Sequence, residues 1–402
     1  MKPNANISVC AVVLVFTFFI FSTEAKSISM PGLYSDSLKW ADKMVITVMN
    51  VYPEAWQIDD RKEPRWDYVH GLVLTSMENY YKKNRKPEYL KYIKDYADEF
   101  IDSLGNINTY KADDYNLDMI NAGKILFLLY DETHEQKYLI AMQHLRNQLD
   151  NQPRTSGGGF WHKKRYPNQM WLDGLYMSAP FYARYTVEFE NGKKLDDVIT
   201  QFRLIQKHLY DRKTGLYFHG WDESKQMGWA NKKTGCSPSF WSRSIGWYAM
   251  ALVDVLDYIP ENHPGKKELI GYLNKLAGAL VKFQDKSGLW FQVTDQGKRQ
   301  GNYLETTGSA MYAYAFAKAV NKGYLPANYK AISNKAFDGL ITLMVKTDPN
   351  GNLILGNCCA VAGLGGNPYR DGSYNYYINE KRKDNDPKGI GPFILAGLEL
   401  DR

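Results

Sequence analysis

In Trp171-Leu172-Asp173-Gly174-Leu175-Tyr176-Met177 a single carboxylate stands among large apolar neighbours. Such surroundings disfavour the charged form, so the side chain can hold a proton near neutral pH, as a general acid must. An aspartate at a helix start equally serves as a cap, and local spacing leaves both roles open for Asp173. On a helix, Met177 lies one turn further along and faces the same way. Tyr115-Asn116-Leu117-Asp118-Met119-Ile120-Asn121 supplies a second carboxylate at a helix start. Asp118 is suited to hydrogen-bond sugar hydroxyls, or to push the pKa of a neighbouring Asp173 away from its own. Capping is again the plain alternative, and it is the default for Glu305.

Three further segments carry groups that read an anion or a sugar ring. Trp161-His162-Lys163 and Phe218-His219-Gly220-Trp221-Asp222 follow turn signals, where loops commonly bear function. Phe240-Trp241-Ser242-Arg243-Ser244-Ile245-Gly246-Trp247 sets an arginine between two tryptophans. A guanidinium forks onto a carboxylate, and flat rings stack on a pyranose. Each segment alone reads as packing or as a surface cation–π pair, but their joint occurrence near turns favours a binding role. Tyr369-Arg370-Asp371-Gly372-Ser373-Tyr374-Asn375-Tyr376-Tyr377 either closes such a site or is a structural loop. His162 and His219 lack zinc-site spacing, and there is no Cys-x-x-Cys, phosphate loop, nucleophile elbow or dinucleotide fingerprint. No metal and no organic cofactor is expected.

The elements that must position these groups are mostly helices. Tyr89, Ile93, Tyr96, Ala97 and Phe100 share one face of a segment opened by Pro87. The same i, i+3, i+4 pattern runs through 138–149, 195–209 and 269–280, and helices are expected near 37–50, 69–82, 118–131, 170–187, 242–258, 306–320 and 328–345. Between helix pairs a turn recurs: Asp211-Arg212-Lys213-Thr214-Gly215-Leu216-Tyr217-Phe218 resembles Asp285-Lys286-Ser287-Gly288-Leu289-Trp290-Phe291. Asp348-Pro349-Asn350-Gly351-Asn352-Leu353 is a weaker copy, and Gly157-Gly158-Gly159-Phe160-Trp161 a degenerate one. The glycine allows positive φ, and the aromatics after it are expected to begin a short strand. Helical hairpins with loops gathered at one end suggest a closed α/α toroid. An open helical solenoid is the alternative, and the absence of a Pro/Ser/Gly-rich linker favours one domain.

The 402 residues allow a substantial core, and 30 Tyr with 10 Trp exceed what a core alone needs. A net charge of +6 without a long basic block gives nucleic-acid binding little support, yet a mild positive field suits an anionic small substrate. Lys2 precedes an apolar run from Val9 to Phe21 and then Ser22-Thr23-Glu24-Ala25. This reads as a secretory signal over residues 1–25, cleaved near Ala25, and the run is short for a membrane anchor. The mature chain, 26–402, is therefore expected outside the cytoplasm, periplasmic or extracellular, without stable membrane insertion. Cys10 falls in the leader, and a disulfide from Cys236 to Cys358 or Cys359 is left open.

Taken in order, these segments resemble the unsaturated rhamnogalacturonyl hydrolases of glycoside hydrolase family 105. The stretches that carry the likeness are Leu117–Gly123, Phe160–Lys163, Trp171–Met177, Tyr217–Asp222, Trp241–Arg243 with Gly246-Trp247, and Tyr369–Tyr374. The likeness covers nearly all of the mature chain. It implies an all-α fold, a six-hairpin (α/α)6 barrel with short β-hairpin inserts, similar to that of the unsaturated glucuronyl hydrolases. It also implies that Asp173 is the catalytic acid/base. Asp118, His162, Met177, His219, Trp241, Arg243 and Trp247 match substrate-pocket positions, with Lys163 beside one of them. After Arg243 the chain has Ser244 where many relatives carry an extra glycine. The wall near Trp66-Asp67-Tyr68-Val69-His70-Gly71 varies across the family, and nothing is carried over there.

The implied substrate is a short oligosaccharide ending in a 4,5-unsaturated uronic acid, the product of a polysaccharide lyase. Its C4=C5 bond is a vinyl ether, so C4 accepts a proton from Asp173 and water adds at C5. The hemiketal opens and the aglycone leaves. Ordinary glycosidases need two carboxylates flanking the bond, whereas here one suffices. Rival readings are an ordinary glycosidase or sugar epimerase on the same scaffold, an unsaturated glucuronyl hydrolase acting on arabinogalactan-type chains, or a non-catalytic carbohydrate-binding protein. The aglycone sugar, galacturonate or glucuronate origin and oligomeric state are not written in these motifs.

Overall fold

Residues 38–402, together with Met1, are described by a computed structural model. Met1 aside, the expected leader, its cleavage point and Cys10 lie outside the described residues. From residue 38 onward the chain belongs to one compact unit.

Helices alternate between an outer and an inner position. The outer set is α1 (Trp40–Val51), α3 (Pro87–Phe100), α6 (Gln136–Asn151), α8 (Leu195–His208), α10 (Pro264–Lys282) and α12 (Tyr329–Met344). Each of these is amphipathic: in α8 Leu195, Val198, Ile199, Phe202 and Ile205 are buried, while the opposite face carries charge. The inner set is α2 (Tyr68–Asn84), α4 (Asp118–Asn121) continuing through a 3₁₀ turn into α5 (Ile125–Thr133), α7 (Leu172–Phe189), α9 (Ser242–Val255), α11 (Thr306–Asn321) and α14 (Pro387–Leu400). These are buried almost all round, as in α11, where every residue from Thr306 to Ala319 is enclosed. In the inner set α2 packs on α4, α4 on α7, α7 on α9, α9 on α11, α11 on α14, and α14 back on α2. The ring therefore closes, and an open solenoid is ruled out.

A short helix α13 (Tyr374–Asn379), two further 3₁₀ turns (Ala55–Gln57 and Ala112–Asp114) and eight short strands complete the described elements. The strands pair as antiparallel ribbons: β1 (Gln169–Trp171) with β2 (Gly220–Asp222), β3 (Trp290–Phe291) with β4 (Leu304–Glu305), β5 (Val345–Thr347) with β6 (Leu353–Leu355), and β7 (Cys358–Cys359) with β8 (Arg382–Lys383). The recurring turns are present. Gly215 and Gly288 adopt φ of +78° and +91°, and a Cβ at Gly288 would lie 2.2 Å from the Lys335 carbonyl oxygen. The segment after Gly215 departs from expectation: Tyr217 makes an isolated bridge to Tyr210, and β2 instead reaches across to β1.

Two stretches of the inner ring also differ from the sequence reading. The helix expected over 118–131 is divided at Ala122–Lys124, and the helix α14 was not anticipated. Cys236, Cys358 and Cys359 are buried free thiols. Cys236 Sγ donates to the His208 carbonyl (3.0 Å), while Cys359 Sγ accepts from Gln292 Nε2 (3.2 Å). No helix among the described residues is long and apolar enough to cross a membrane.

Candidate active site

Inner helices begin at one end of the ring, and their first turns carry the chemistry. β1 runs straight into α7, so Asp173 is the second residue of that helix. The β1–β2 register pairs Trp171 with Gly220, and Leu172 N then donates to the His219 carbonyl (3.0 Å). That ladder brings His219 beside Asp173. The pattern repeats one hairpin on: Trp241 bridges Val293, Ser242 N donates to the Gln292 carbonyl (2.9 Å), and Arg243 is the second residue of α9. Asp118 opens α4, Tyr68 opens α2, and Lys388 stands in the first turn of α14. Helix N-termini converging on one place favour an anion there.

These first turns surround a cavity of about 190 Å³. Asp173, Asp118, His162, Lys163, Met177, Trp241, Arg243 and Trp247 all line it. His219 is placed differently: fully enclosed, it stands behind the wall, between Trp171 and Trp241 (ring centroids 5.2 and 4.8 Å), and reaches Asp173 rather than the cavity. Sequence reasoning missed Tyr68, Arg165, Tyr166, Trp171, Arg370 and Lys388, which also line the cavity. Of these, Trp171, Tyr68 and Arg370 lay in segments already singled out, while Lys388 belongs to the helix that was not anticipated.

Asp173 exposes 14% of its side chain, enough to face the cavity while remaining shielded from bulk water. His219 Nε2 lies 3.1 Å from Asp173 Oδ2. His219 Nδ1 meets the Tyr377 hydroxyl at 2.8 Å. Burial pushes the Asp173 carboxyl up, as its apolar neighbours suggested, but the charges of His219, His162 and Arg243 outweigh it and hold the group below the ordinary carboxylate range. The expectation of a raised value is therefore corrected: the sequence neighbours are apolar, whereas imidazoles and a guanidinium surround the group in space. Burial also pulls His162 down to about 4, so its ring is neutral near pH 7. That leaves the Arg243 guanidinium as a standing positive charge acting on Asp173 at that pH.

Asp118 is tied to Lys163 Nζ by a close ion pair and lies 3.4 Å from His162 Nε2. Its charge is not among the leading influences on Asp173, so the expected mutual tuning of the two carboxylates gives way to cation control. Arg243 donates through Nη1 to the Cys359 carbonyl, keeps Nε without a partner, and stacks 4.6 Å over Trp241. Gln292 secures that wall, accepting from Trp241 Nε1 (3.1 Å) and donating to the Tyr377 carbonyl (3.0 Å). Glu305, by contrast, caps α11, accepting from Thr307 N and Gly308 N, and also accepts from Cys359 N (2.9 Å). Its role is structural, as the default reading held. Among the described residues no group of three or more His, Cys, Asp or Glu could hold a metal ion.

A closed double ring of helical hairpins, with a small pocket that sets carboxyls and arginines among indoles, is the architecture of a carbohydrate-cleaving enzyme. Residues 40–402 match the model of Glycosyl Hydrolase Family 88. A solved glycoside hydrolase from family 105 of C. acetobutylicum ATCC 824 is 44% identical, superposes with a TM-score of 0.87, and the match covers 90% of this chain and 99% of that one. A protein of Agrobacterium fabrum is 36% identical over 229 residues, 56% of this chain and 97% of its own length. The unsaturated rhamnogalacturonyl hydrolase YesR of Bacillus subtilis is 27% identical over 281 residues, 68% of this chain and 75% of its own. The chain belongs to the glycoside hydrolases of the family 88 and 105 group.

Proposed function

We propose that this enzyme removes a 4,5-unsaturated uronic acid from the non-reducing end of lyase-generated, pectin-type oligosaccharides. The observation that carries the reading is Asp173 on the wall of a cavity that also presents Arg243 and the indoles of Trp241 and Trp247. The likeness to the rhamnogalacturonyl hydrolase supports the choice of substrate.

The unsaturated ring stacks on the indoles, and its carboxylate meets Arg243. That added negative charge offsets the cations that depress Asp173, so its pKa rises on binding and the carboxyl takes up a proton. Asp173 then donates the proton to C4, leaving an oxocarbenium ion at C5. Water adds at C5 as the Asp173 carboxylate takes back a proton, restoring the acid. The C5–O5 bond of the hemiketal opens to a ketone, and the hemiacetal left at C1 expels the aglycone as an alcohol. One water is consumed, and no second carboxylate is needed. The apolar run before Ala25 supports export, with the catalytic domain over 26–402 working in the periplasm or outside the cell.

Oligosaccharides with saturated and unsaturated ends, matched in every other sugar, test the reading. Turnover should be confined to the unsaturated set and accompanied by loss of the ultraviolet absorbance of the conjugated double bond. Equal turnover of both would replace this reading with an ordinary glycosidase, and binding without turnover of either would replace it with a carbohydrate-binding protein.

A further inference from the structure

Beside the inner cavity lies an outer chamber of about 540 Å³ that shares Tyr68, Asp118, Lys163 and Arg165 with it. Its walls gather cations from three loops far apart in sequence: Arg65 before α2, Lys111 before α4, and Lys163-Lys164-Arg165 before β1. Three carboxylates accompany them, but two are engaged, Asp67 by Arg61 (2.8 Å) and Asp118 by Lys163. Lys111, Lys164 and Arg165 form no ion pair among the described residues; Lys164 and Arg165 rest only over the rings of Tyr115 (5.6 Å) and Tyr166 (5.0 Å). Like charges drawn together from separate loops repel one another, and a bound anion relieves that repulsion.

The loop that carries Lys111 is itself held in a costly shape. Thr109, which also lines the chamber, has φ +64°, a conformation that β-branched residues rarely adopt. Its Oγ1 accepts from Trp66 N (2.9 Å), which fixes the loop against the start of α2. Backbone strain of this kind, of order 1–3 kcal/mol, persists where the surroundings enforce it, commonly at ligand sites. A second chamber at the mouth, about 800 Å³, offers no comparable excess. There Asp371 and Glu380 balance Arg165 and Arg370, and Arg370 already donates to the Gly365 carbonyl (2.8 Å) and Tyr166 hydroxyl (3.2 Å).

We propose that the outer chamber is a subsite for a second anionic group, a carboxylate or a sulfate ester, on the sugars that follow the unsaturated ring. This rests on the inner cavity being the unsaturated-uronate pocket. The preferred substrates are then oligosaccharides whose aglycone is itself charged, and a neutral aglycone leaves the chamber's cations unmatched.

The experiment compares kcat/KM for three substrates with the same unsaturated end: a disaccharide with a neutral aglycone, a tetrasaccharide bearing a further uronate, and a sulfated disaccharide. Wild type and a Lys111→Ala/Lys164→Ala double variant are assayed at low and high salt. The wild type should favour at least one charged aglycone by about tenfold or more at low salt, through KM, and lose most of that preference at high salt. The double variant should show little preference at either salt, with the neutral disaccharide changed less than about threefold. Which charged substrate is favoured distinguishes carboxylate from sulfate. Preference for neither, or a preference that survives the double substitution, overturns the subsite while leaving the inner pocket's role standing. Failure to turn over all three substrates overturns the proposed function and the subsite with it.

Discussion

His219 holds its Nε2 3.1 Å from Asp173 Oδ2 while its other ring nitrogen meets the Tyr377 hydroxyl at 2.8 Å. Burial raises the Tyr377 pKa well above that of a free phenol, so the hydroxyl stays protonated. The imidazole is thus fixed from behind and held against the Asp173 carboxyl. On the proposed mechanism Asp173 is ionised in the free enzyme and becomes an acid once a uronate binds. The pH dependence of the enzyme should show this difference. The basic limb of kcat/KM, which reports the free enzyme, should lie at lower pH than the basic limb of kcat. In His219→Gln the free-enzyme limb should move to higher pH, because a group that depresses the Asp173 pKa is gone, while kcat falls about 10²-fold from lost positioning. A pH–rate profile unchanged by the substitution would detach His219 from the acid.

Arg243 should act mainly on binding. Arg243→Lys keeps the charge but loses the planar fork and the stacking on Trp241. Steady-state kinetics should show KM raised about tenfold or more, with a smaller change in kcat. A pure kcat effect would place the substrate carboxylate elsewhere.

Gln292 should matter to stability and to the shape of the wall at once. Gln292→Ala strands the Trp241 indole N–H and the Tyr377 carbonyl, both buried, at about 1–3 kcal/mol. Urea unfolding should register that loss. Trp241 fluorescence should shift with it, since the ring stacks on Tyr377 at 5.6 Å.

Lys124 offers a stability test at the far side of the ring. Its Nζ donates to the Tyr176 carbonyl (3.0 Å) and sits 3.5 Å over the Tyr176 ring, and burial pulls its pKa to about 7. In the unfolded chain the amine keeps its proton to about pH 10.4. Between these values the unfolded state binds more protons, so stability contributed by this group rises with pH and is lost as pH falls toward 7. From pH 7 to 9.5 the wild type should gain on the order of 2 kcal/mol relative to Lys124→Met, measured by urea unfolding at each pH. Parallel curves would show that Lys124 does not titrate in this range.

What could be read from the sequence follows from where each signal is stored. The outer helices are legible because one face meets water: Tyr89, Ile93, Tyr96, Ala97 and Phe100 mark α3 by their spacing alone, and all are buried. Inner helices lose that contrast. In α14, apolar nearly throughout and interrupted by Pro392, no polar stripe announces a helix, so Lys388 went unnoticed. The division of 118–131 at Ala122–Lys124 leaves no mark in hydrophobic spacing. Motif residues were found because each lies within a recognisable segment, but their charge state depends on partners remote in sequence. Trp171, Leu172 and Leu175 surround Asp173 along the chain, whereas His219 and Arg243 reach it only through the β1–β2 ladder and the start of α9.

The whole account turns on proton delivery from Asp173 to the alkene. Asp173→Asn removes the acid with almost no change in volume and leaves Arg243, Trp241 and Trp247 in place. The direct measurement follows absorbance of the conjugated double bond with an unsaturated oligosaccharide, alongside calorimetric binding of the same compound. The account predicts binding within about tenfold of wild type and a fall in turnover of 10³-fold or more. Continued loss of absorbance at a rate near that of wild type would contradict it.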